Sequence, residues 1–355
     1  MSKFYQLKVL ETKQETKDSI SVSFAVPSEL SQIFNYKAGQ YLTLKFNLNG
    51  QEVRRSYSLC SSPILEESLR VGIKRVKDGL VSNHINDNVK AGDVVEVMPT
   101  NGRFFADIKK DNYKTYYLFS AGSGITPILS ILRTVLLTEE RSYVHMIYGN
   151  SSQETIMFKE ELEKLQEQYT ERLILVHSLS KPKSSFWSNK NKMKFRKGRV
   201  DAEAVKWFVN EYPPYAQNVE YYICGPGKMI ENAQQALKNI DVPNNRIFIE
   251  SFGGGETKDI TEGVSEAKLI ARLDDEEIEL TIQKGKTILR TLLDADYDPP
   301  YSCEGGVCSS CICKVKKGKV HMKTNMALTD TEVEEGYVLS CQAIPLTGEV
   351  EVEYE

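Results

Sequence analysis

No stretch of this chain approaches the 18 or so consecutive apolar residues that a membrane-crossing helix needs, and the opening MSKFYQLKVL lacks an apolar core followed by a small-residue cleavage site. The expectation is a cytoplasmic protein with no membrane partner. Cysteine is scarce and odd in number, seven in 355 residues, which argues against the paired framework of a secreted disulfide-bonded protein. The dinucleotide fingerprint G-x-G-x-x-G is missing, and only one C-x2-C pair exists where structural zinc usually takes two. What remains is ordinary for a globular protein, with 41% hydrophobic and 26% charged residues and enough length for two or three domains.

Four of the seven cysteines form a pattern. Cys303-Glu-Gly-Gly-Val-Cys308-Ser-Ser-Cys311 is answered downstream by Cys341 in Leu339-Ser-Cys-Gln. C-x4-C-x2-C with a distant fourth cysteine is the spacing of a plant-type [2Fe-2S] cluster, in which four thiolates hold two irons. Gly305 and Gly306 allow the backbone to fold round sulfide and aim N–H groups at it, because a residue without Cβ reaches conformations closed to others. Zinc and buried structural cysteine are the competing readings. Neither accounts for four of seven cysteines at this spacing. Cys313, two residues past a ligand, is expected to pack inward as its strand alternates.

Charge is unevenly spread. From Glu266 onward there are 18 acidic and 10 basic side chains, a net of −8, which leaves +4 for the first 265 residues of a chain whose total is −4. An acidic tail beside a mildly basic body suggests electrostatic docking between them.

Phe4 to about Ile108 reads as short alternating strands (FYQLKVL, SISVSFAV, QYLTLKF, RRSYSL, LRVGIKRV, DVVEVM) separated by turn residues, the pattern of an antiparallel barrel. At the end of one strand stands Arg55-Ser-Tyr57-Ser58. Arg55 could pair with a pyrophosphate, Tyr57 could stack on a flat ring and Ser58 could donate to a ring nitrogen. Gly79-Leu-Val-Ser82 opens a helical stretch whose free N–H groups, with the Ser82 hydroxyl, could hold phosphate.

From about Tyr116 the pattern changes to apolar runs alternating with amphipathic helices, which implies a doubly wound parallel sheet with ligands at the carboxyl ends of its strands. Its first turn is Ala121-Gly122-Ser-Gly124-Ile-Thr126-Pro127. The glycines permit close backbone approach, Thr126 can reach phosphate, and Pro127 suits the first turn of a helix. After the second strand, Tyr148-Gly-Asn-Ser151-Ser, no acid appears until Glu154, so nothing there would repel a 2′-phosphate. Ser151 and Lys181 could accommodate one, which favours NADPH while leaving NADH open. Lys181 to Arg199 holds eight basic residues and no acidic one. Nucleic-acid binding could be read into that run, but a solvated loop or a docking surface for a redox partner is the plainer reading.

Together these motifs resemble the ferredoxin–NADP reductase family, with R-x-Y-[ST] against the flavin, a G-x-x-S turn under its pyrophosphate and G-x-G-x-T-P for the nicotinamide dinucleotide. The resemblance implies FAD, with FMN open because some relatives carrying a ferredoxin use it. It extends to Cys224-Gly225-Pro226-Gly-Lys-Met229, similar to the family's C-G-P-x-x-M beside the nicotinamide. Glu250-Ser-Phe252 is similar to its closing E-x-aromatic, with the carboxylate near the nicotinamide and the ring over the flavin. The family's hydride-transfer site would then comprise Ser58, Cys224 and Glu250.

Gly253 to Gly263 is glycine-rich and polar, a flexible tether. Beyond it come two strands (KLIARL, EIELTI), a helical segment from Thr287 to Ala295, the cysteine loop and a closing strand GEVEVEY, which resemble the β-grasp fold of plant-type ferredoxins. The expected organisation is a flavin barrel at 1–110, a nicotinamide α/β domain at 111–252, a linker at 253–265 and a ferredoxin domain at 266–355. The resemblance implies electron flow from NAD(P)H through flavin and cluster to an oxygenase or hydroxylase component. A carrier module without turnover of its own is the alternative. Purified protein should be coloured and contain about two irons and two acid-labile sulfides per chain; a colourless preparation with zinc in their place would contradict the cysteine assignment.

Overall fold

The computed structural model describes residues 3–65, 67–182, 194–252, 264–274 and 276–354. Period-two burial shapes the first hundred of them, as in strand β1 (Tyr5–Thr16), where Leu7 and Val9 are sealed while Lys8 and Leu10 face out. With β2 (Ser19–Ala25), β3 (Tyr41–Leu48), β4 (Gln51–Ser58), β5 (Leu69–Lys74) and β6 (Val94–Asn101) it forms one sheet in the order β4-β3-β6-β1-β2-β5. An antiparallel bridge from Leu59 to Val71, with the Cys60 N–H donating to the Arg70 carbonyl at 2.7 Å, joins the two end strands and curls the sheet into a barrel. Helix α1 (Leu80–Asn88) packs on β5 and begins at Gly79, as the sequence suggested.

Residues 114–251 build the doubly wound lobe. Strands β7 (Lys114–Ala121), β8 (Tyr143–Asn150), β9 (Leu173–Leu179), β10 (Lys194–Lys197), β11 (Asn218–Gly225) and β12 (Ile247–Ser251) lie all parallel in the order β10-β9-β8-β7-β11-β12. Helices α2 (Ile125–Thr138), α3 (Lys159–Gln168), α4 (Ala202–Glu211) and α5 (Gly227–Lys238) connect them. The chain order reverses at β7, which puts the crevice between β7 and β11. The last residues of the basic run, expected as loop, form β10: paired edge-on to β9, they satisfy their backbone in the sheet while their charges stay in water. Residues 183–193 of that run, Phe186 and Trp187 among them, lie outside the described residues.

Barrel and lobe share one core. Helix α2 is apolar nearly all round because its inner face packs on the sheet while Ile131 and its neighbours meet Ala38, Cys60 and Phe104 of the barrel. Beside that core runs a charged seam. Arg70 of β5 donates to both carboxylate oxygens of Glu161 on α3, at 3.0 and 2.8 Å. Arg133 of α2 reaches Glu161 at 3.1 Å through Nε and Glu67 at 2.9 Å through Nη2. Two histidines are sealed deeper in the lobe. His145 gives one ring nitrogen to the Tyr212 carbonyl at 3.1 Å and leaves the other unpartnered, and neither nitrogen of His177 finds a partner among the described residues. Burial pushes them down to about 4 and about 3.

The second body has its own sheet. Strands β13 (Glu266–Leu273), β14 (Glu276–Gln283), β15 (Ile312–Lys317), β17 (Tyr337–Leu339) and β19 (Glu349–Tyr354) run in the order β14-β13-β19-β15-β17, and β16 (Val320–Met322) pairs with β18 (Ala343–Pro345). Helix α6 (Ile288–Asp294) covers the sheet, and the five-residue α7 (Asp330–Glu334) starts in a capping box made by Thr329 and Glu332. β16 to β18 and α7 were not foreseen. Each of the three strands spans only three residues and α7 a single turn, too short for periodicity to show. Cys313 is fully buried in this body's core, as alternation required. Among the described residues no helix is long and apolar enough to cross a membrane.

Glu161→Ala would leave two partly buried guanidiniums facing each other without their shared carboxylate. Because the group is a quarter exposed, the expected loss is about 2 kcal/mol, below the roughly 3–5 of a fully buried pair. A denaturant titration of the lobe that showed no loss would remove the seam from the account of how barrel and lobe are held.

Candidate active site and metal centre

Three motifs meet at the carboxyl ends of β7, β11 and β12. In register, Cys224 of β11 lies between Ser120 of β7 and Glu250 of β12. From the barrel, Ser58 at the end of β4 donates its hydroxyl to Glu250 Oε2 at 3.0 Å, across 192 positions of sequence. Ser58, Cys224 and Glu250 are thus brought together. Burial pushes the Glu250 carboxyl up to about 8, against the opposing effect of the Ser58 hydrogen bond. Cys224 has no exposed surface, and burial, reinforced by Glu250, pushes its thiol well above its ordinary value. The site therefore holds a neutral thiol, and below about pH 8 a neutral carboxyl.

Close backbone approach explains the glycines. A Cβ on Gly124 would collide with the Cys224 carbonyl, and one on Gly225 would come within 2.8 Å of the Met229 methyl. Gly122 adopts φ +57°, and its carbonyl accepts from the Tyr148 hydroxyl at 2.9 Å. Pro226 caps α5 and is exposed, while Pro127 is buried in the first turn of α2. Thr126 does not present its hydroxyl outward. Its Oγ1 donates to the Ser123 carbonyl at 3.0 Å, and its methyl fills the space beside Gly72, where a Cβ would lie 2.5 Å away. Its role in the turn is to hold shape.

In the barrel, Arg55 is exposed on β4 and Tyr57 half-buried. Gly79 leads α1 with no room for a side chain, since a Cβ would lie 2.7 Å from Ser82 Oγ and 2.9 Å from Val76 Cβ. The Ser82 hydroxyl accepts from the Val76 N–H at 3.1 Å, so it closes the turn, and the first-turn N–H groups of α1 are what the turn offers to an anion. Tyr57 and the Gly79 cradle fit a flavin dinucleotide. Phe252 is 40% exposed. Ser151 and Lys181 are both exposed, and the Lys181 N–H donates to the Ser151 carbonyl at 2.7 Å, so the ends of β8 and β9 carry them side by side. Two participants escaped the sequence analysis: Tyr148, which pins Gly122, and Lys74, whose Nζ lies 3.8 Å from where a Gly122 Cβ would be. Neither belongs to a spaced motif, and only the packing of barrel on lobe brings Lys74 to that turn.

The second body gathers the four thiols into two pairs. Cys308 Sγ donates to Cys303 Sγ at 3.1 Å, and that donation, helped by the N–H groups of Gly305, Val307 and Cys308, holds Cys303 down to about 6. Cys311 likewise donates to Cys341, whose thiol is lowered while that of Cys311 is pushed well up. Gly306 sits at φ +73°, and a Cβ there would lie 2.7 Å from the Thr324 carbonyl and 2.9 Å from Gln342 Cγ. Among the described residues no three histidine, cysteine or acidic side chains converge as the ligands of one metal ion. Two thiol pairs ringed by backbone donors fit a two-iron cluster, one pair to each iron, better than a single zinc.

These folds and sites are those of a flavin- and iron–sulfur-dependent oxidoreductase. Residues 6–105 match the oxidoreductase FAD-binding domain family, 118–235 the oxidoreductase NAD-binding domain family and 271–346 the 2Fe-2S iron-sulfur cluster binding domain family. Over 359 residues the chain is 35% identical to one component of the 1,2-phenylacetyl-CoA epoxidase of Escherichia coli (strain K12), covering 100% of this chain and 99% of that protein. It is 34% identical over 360 residues to the ferredoxin reductase component of 3-ketosteroid-9-alpha-monooxygenase of Rhodococcus rhodochrous, with 98% and 96% covered. In fold it is similar to phthalate dioxygenase reductase, with a TM-score of 0.60 at 24% identity over 99% of this chain and 98% of that one. The chain belongs to the family of reductases that join FAD-binding, NAD-binding and [2Fe-2S] domains in one polypeptide.

A carboxyl whose folded pKa of about 8 exceeds its unfolded value of about 4.3 contributes stability that is fully present below the latter and is lost as pH rises through the former. Glu250→Gln should therefore flatten the decline in stability between about pH 4 and 8 and remove an alkaline limb near 8 from the pH profile of flavin reduction. An unaltered profile in the variant would show that Glu250 does not titrate at the site.

Proposed function

We propose that this chain is the reductase component of a multicomponent oxygenase of the phenylacetyl-CoA epoxidase type, active in phenylacetate breakdown and fed by NADPH. The observation that carries the proposal is the meeting of Ser58, Cys224 and Glu250 in one body of a chain whose other body holds two thiol pairs. FAD, when bound, would supply the conversion from paired to single electrons that is required because nicotinamide exchanges electrons in pairs and an iron–sulfur cluster one at a time.

The chain's residues divide the remaining work. With FAD bound, Tyr57 would stack on its ring and the N-terminus of α1 behind Gly79, a turn shaped by Ser82, would receive its pyrophosphate, while the family motifs assign Arg55 to the pyrophosphate and Phe252 to the ring. Gly122, Gly124, Thr126 and Pro127 form the turn that receives the dinucleotide phosphates, and Gly225 and Pro226 let the strand pass under the nicotinamide. Glu250, neutral below about pH 8, adds no negative charge near an arriving hydride, and the Ser58 donation to Oε2 leaves Oε1 to carry its proton. Cys224 supplies a small neutral wall. Cys303, Cys308, Cys311 and Cys341 ligate the cluster. The working units are residues 1–110, 111–252 and 266–355, with 253–265 as the linker, of which 253–263 lie outside the described residues.

Adjacency of Ser151 and Lys181, with no carboxylate before Glu154, supports NADPH over NADH. The segments GLVSN and YGNSSQETIMFKEEL, together with identity to the epoxidase component over the full chain, support the choice of client. Reductases of other monooxygenases are similar over the same length, so another hydroxylase, desaturase or monooxygenase is the second reading.

Anaerobic NADPH should bleach the flavin absorbance and then generate the paramagnetic signal of a reduced [2Fe-2S] centre, with kcat/KM for NADPH at least about tenfold above that for NADH, or ~1.4 kcal/mol. Bleaching without the signal would break the electron path. A ratio favouring NADH would overturn only the donor, and failure to support a reconstituted epoxidase only the client.

A further inference from the structure

In the second body two hydroxyls are buried without a hydrogen-bond partner next to the thiol nest. Tyr354 of β19 is 7% exposed, and its Cα partner across the sheet is Cys313 of β15, which is in turn paired with Val338 of β17. Side chains of directly opposed residues share a face, so Tyr354, Cys313 and Val338 lie in one row, and Ser340 follows two residues after Val338. Ser340 has no exposed surface. Its N–H donates to the Cys311 carbonyl at 2.9 Å, and its carbonyl accepts from the Leu289 N–H at 3.0 Å, which fixes it beside one cluster cysteine and directly before another. The hydroxyls of Tyr354 and Ser340 lie beside each other, and neither finds a hydrogen-bond partner of good geometry among the described residues.

A buried hydroxyl left unmatched costs about 1–3 kcal/mol, and two in contact range call for an acceptor. A phenol is a donor throughout the working pH range, and the ionisable groups around this one are the thiols of Cys313, Cys311 and Cys341. Hydrogen bonds to cluster sulfur favour the more negative, reduced state and so raise the reduction potential.

We propose that Tyr354, acting through Ser340, sets the potential of the iron–sulfur centre by directing hydroxyl donors at its Cys311 and Cys341 side. Tyr354 is in this sense a positioning residue, and Ser340, which directly precedes Cys341, is the donor. The inference rests on the assignment of the four thiols to a cluster. Iron, labile sulfide and the visible spectrum, measured on every preparation, separate a failure of that assignment from a failure of this one.

The test is potentiometry of the full chain, followed by the paramagnetic signal of the reduced centre. Tyr354→Phe, which removes one atom, and Ser340→Ala should each lower the equilibrium constant for reduction about three- to tenfold, a shift of up to ~59 mV to more negative potential. Ser340→Thr, which keeps the hydroxyl, should restore the wild-type value. The double variant should go no further than Ser340→Ala, since the two groups act in series. Loaded clusters with unchanged potentials in both single variants overturn the proposal, and a shift in Ser340→Ala alone overturns the part of Tyr354. If the phenylalanine variant fails to assemble its cluster, Ser340→Ala against Ser340→Thr carries the test: equal potentials would sink it.

Discussion

The arrangement of the larger body depends on one carboxylate shared by two guanidiniums. Glu161 receives Arg70 from the barrel and Arg133 from the lobe, and the pair would repel each other without it. Around that seam the apolar core passes from α2 into the barrel without a break. The hydrogen bond from Ser58 to Glu250 depends on this union, since one residue ends a barrel strand and the other ends a strand of the parallel sheet. A cluster assembled from two folds keeps its geometry only while their relative position is held to a fraction of an ångström. The apolar contact supplies the adhesion, and the directional ion pairs supply the register.

Much of this was legible in the residues. Period-two burial marked the barrel strands, alternation of apolar runs with amphipathic helices marked the parallel sheet, and the cysteine spacing marked the thiol nest, because each is a local pattern written in consecutive positions. Ser58, Cys224 and Glu250 were named from motifs, and the fold brings them together. What could not be read was the use of hydroxyls. Ser82 and Thr126 stand at motif positions that suggested anion contacts, and both bond to backbone of their own turns. Serine and threonine compete for nearby main-chain groups wherever the chain bends, and which partner wins is decided by turn geometry. Lys74 and Tyr148 were missed for a related reason: their importance arises from tertiary packing on Gly122 and leaves no spacing in the sequence. The strands β16 to β18 and helix α7 are too short to carry a period.

The two bodies treat ionisable side chains in contrasting ways. In the larger one, burial keeps Cys224 and, below about pH 8, Glu250 uncharged, an environment suited to moving a hydride without building up charge. In the smaller one, amide groups and neighbouring thiols favour anionic sulfur at Cys303 and Cys341, an environment suited to binding iron. The same residue type is thus a neutral wall in one place and an anion in the other. Backbone donors make the difference: burial and Glu250 act on Cys224, while the loop through Gly305 and Gly306 turns several amides toward Cys303 and Cys341.

His145 and His177 have a consequence for the conditions the larger body tolerates. Their folded values of about 4 and about 3 lie below the ordinary 6.5 or so, so the stability they contribute is present above that value and drains away as acidity increases through it, because the unfolded chain takes up protons that the folded lobe refuses. Glu250 acts in the opposite sense on the alkaline side. Acidification through that range therefore loosens the parallel-sheet lobe through two imidazoles that take no part in the cluster of Ser58, Cys224 and Glu250.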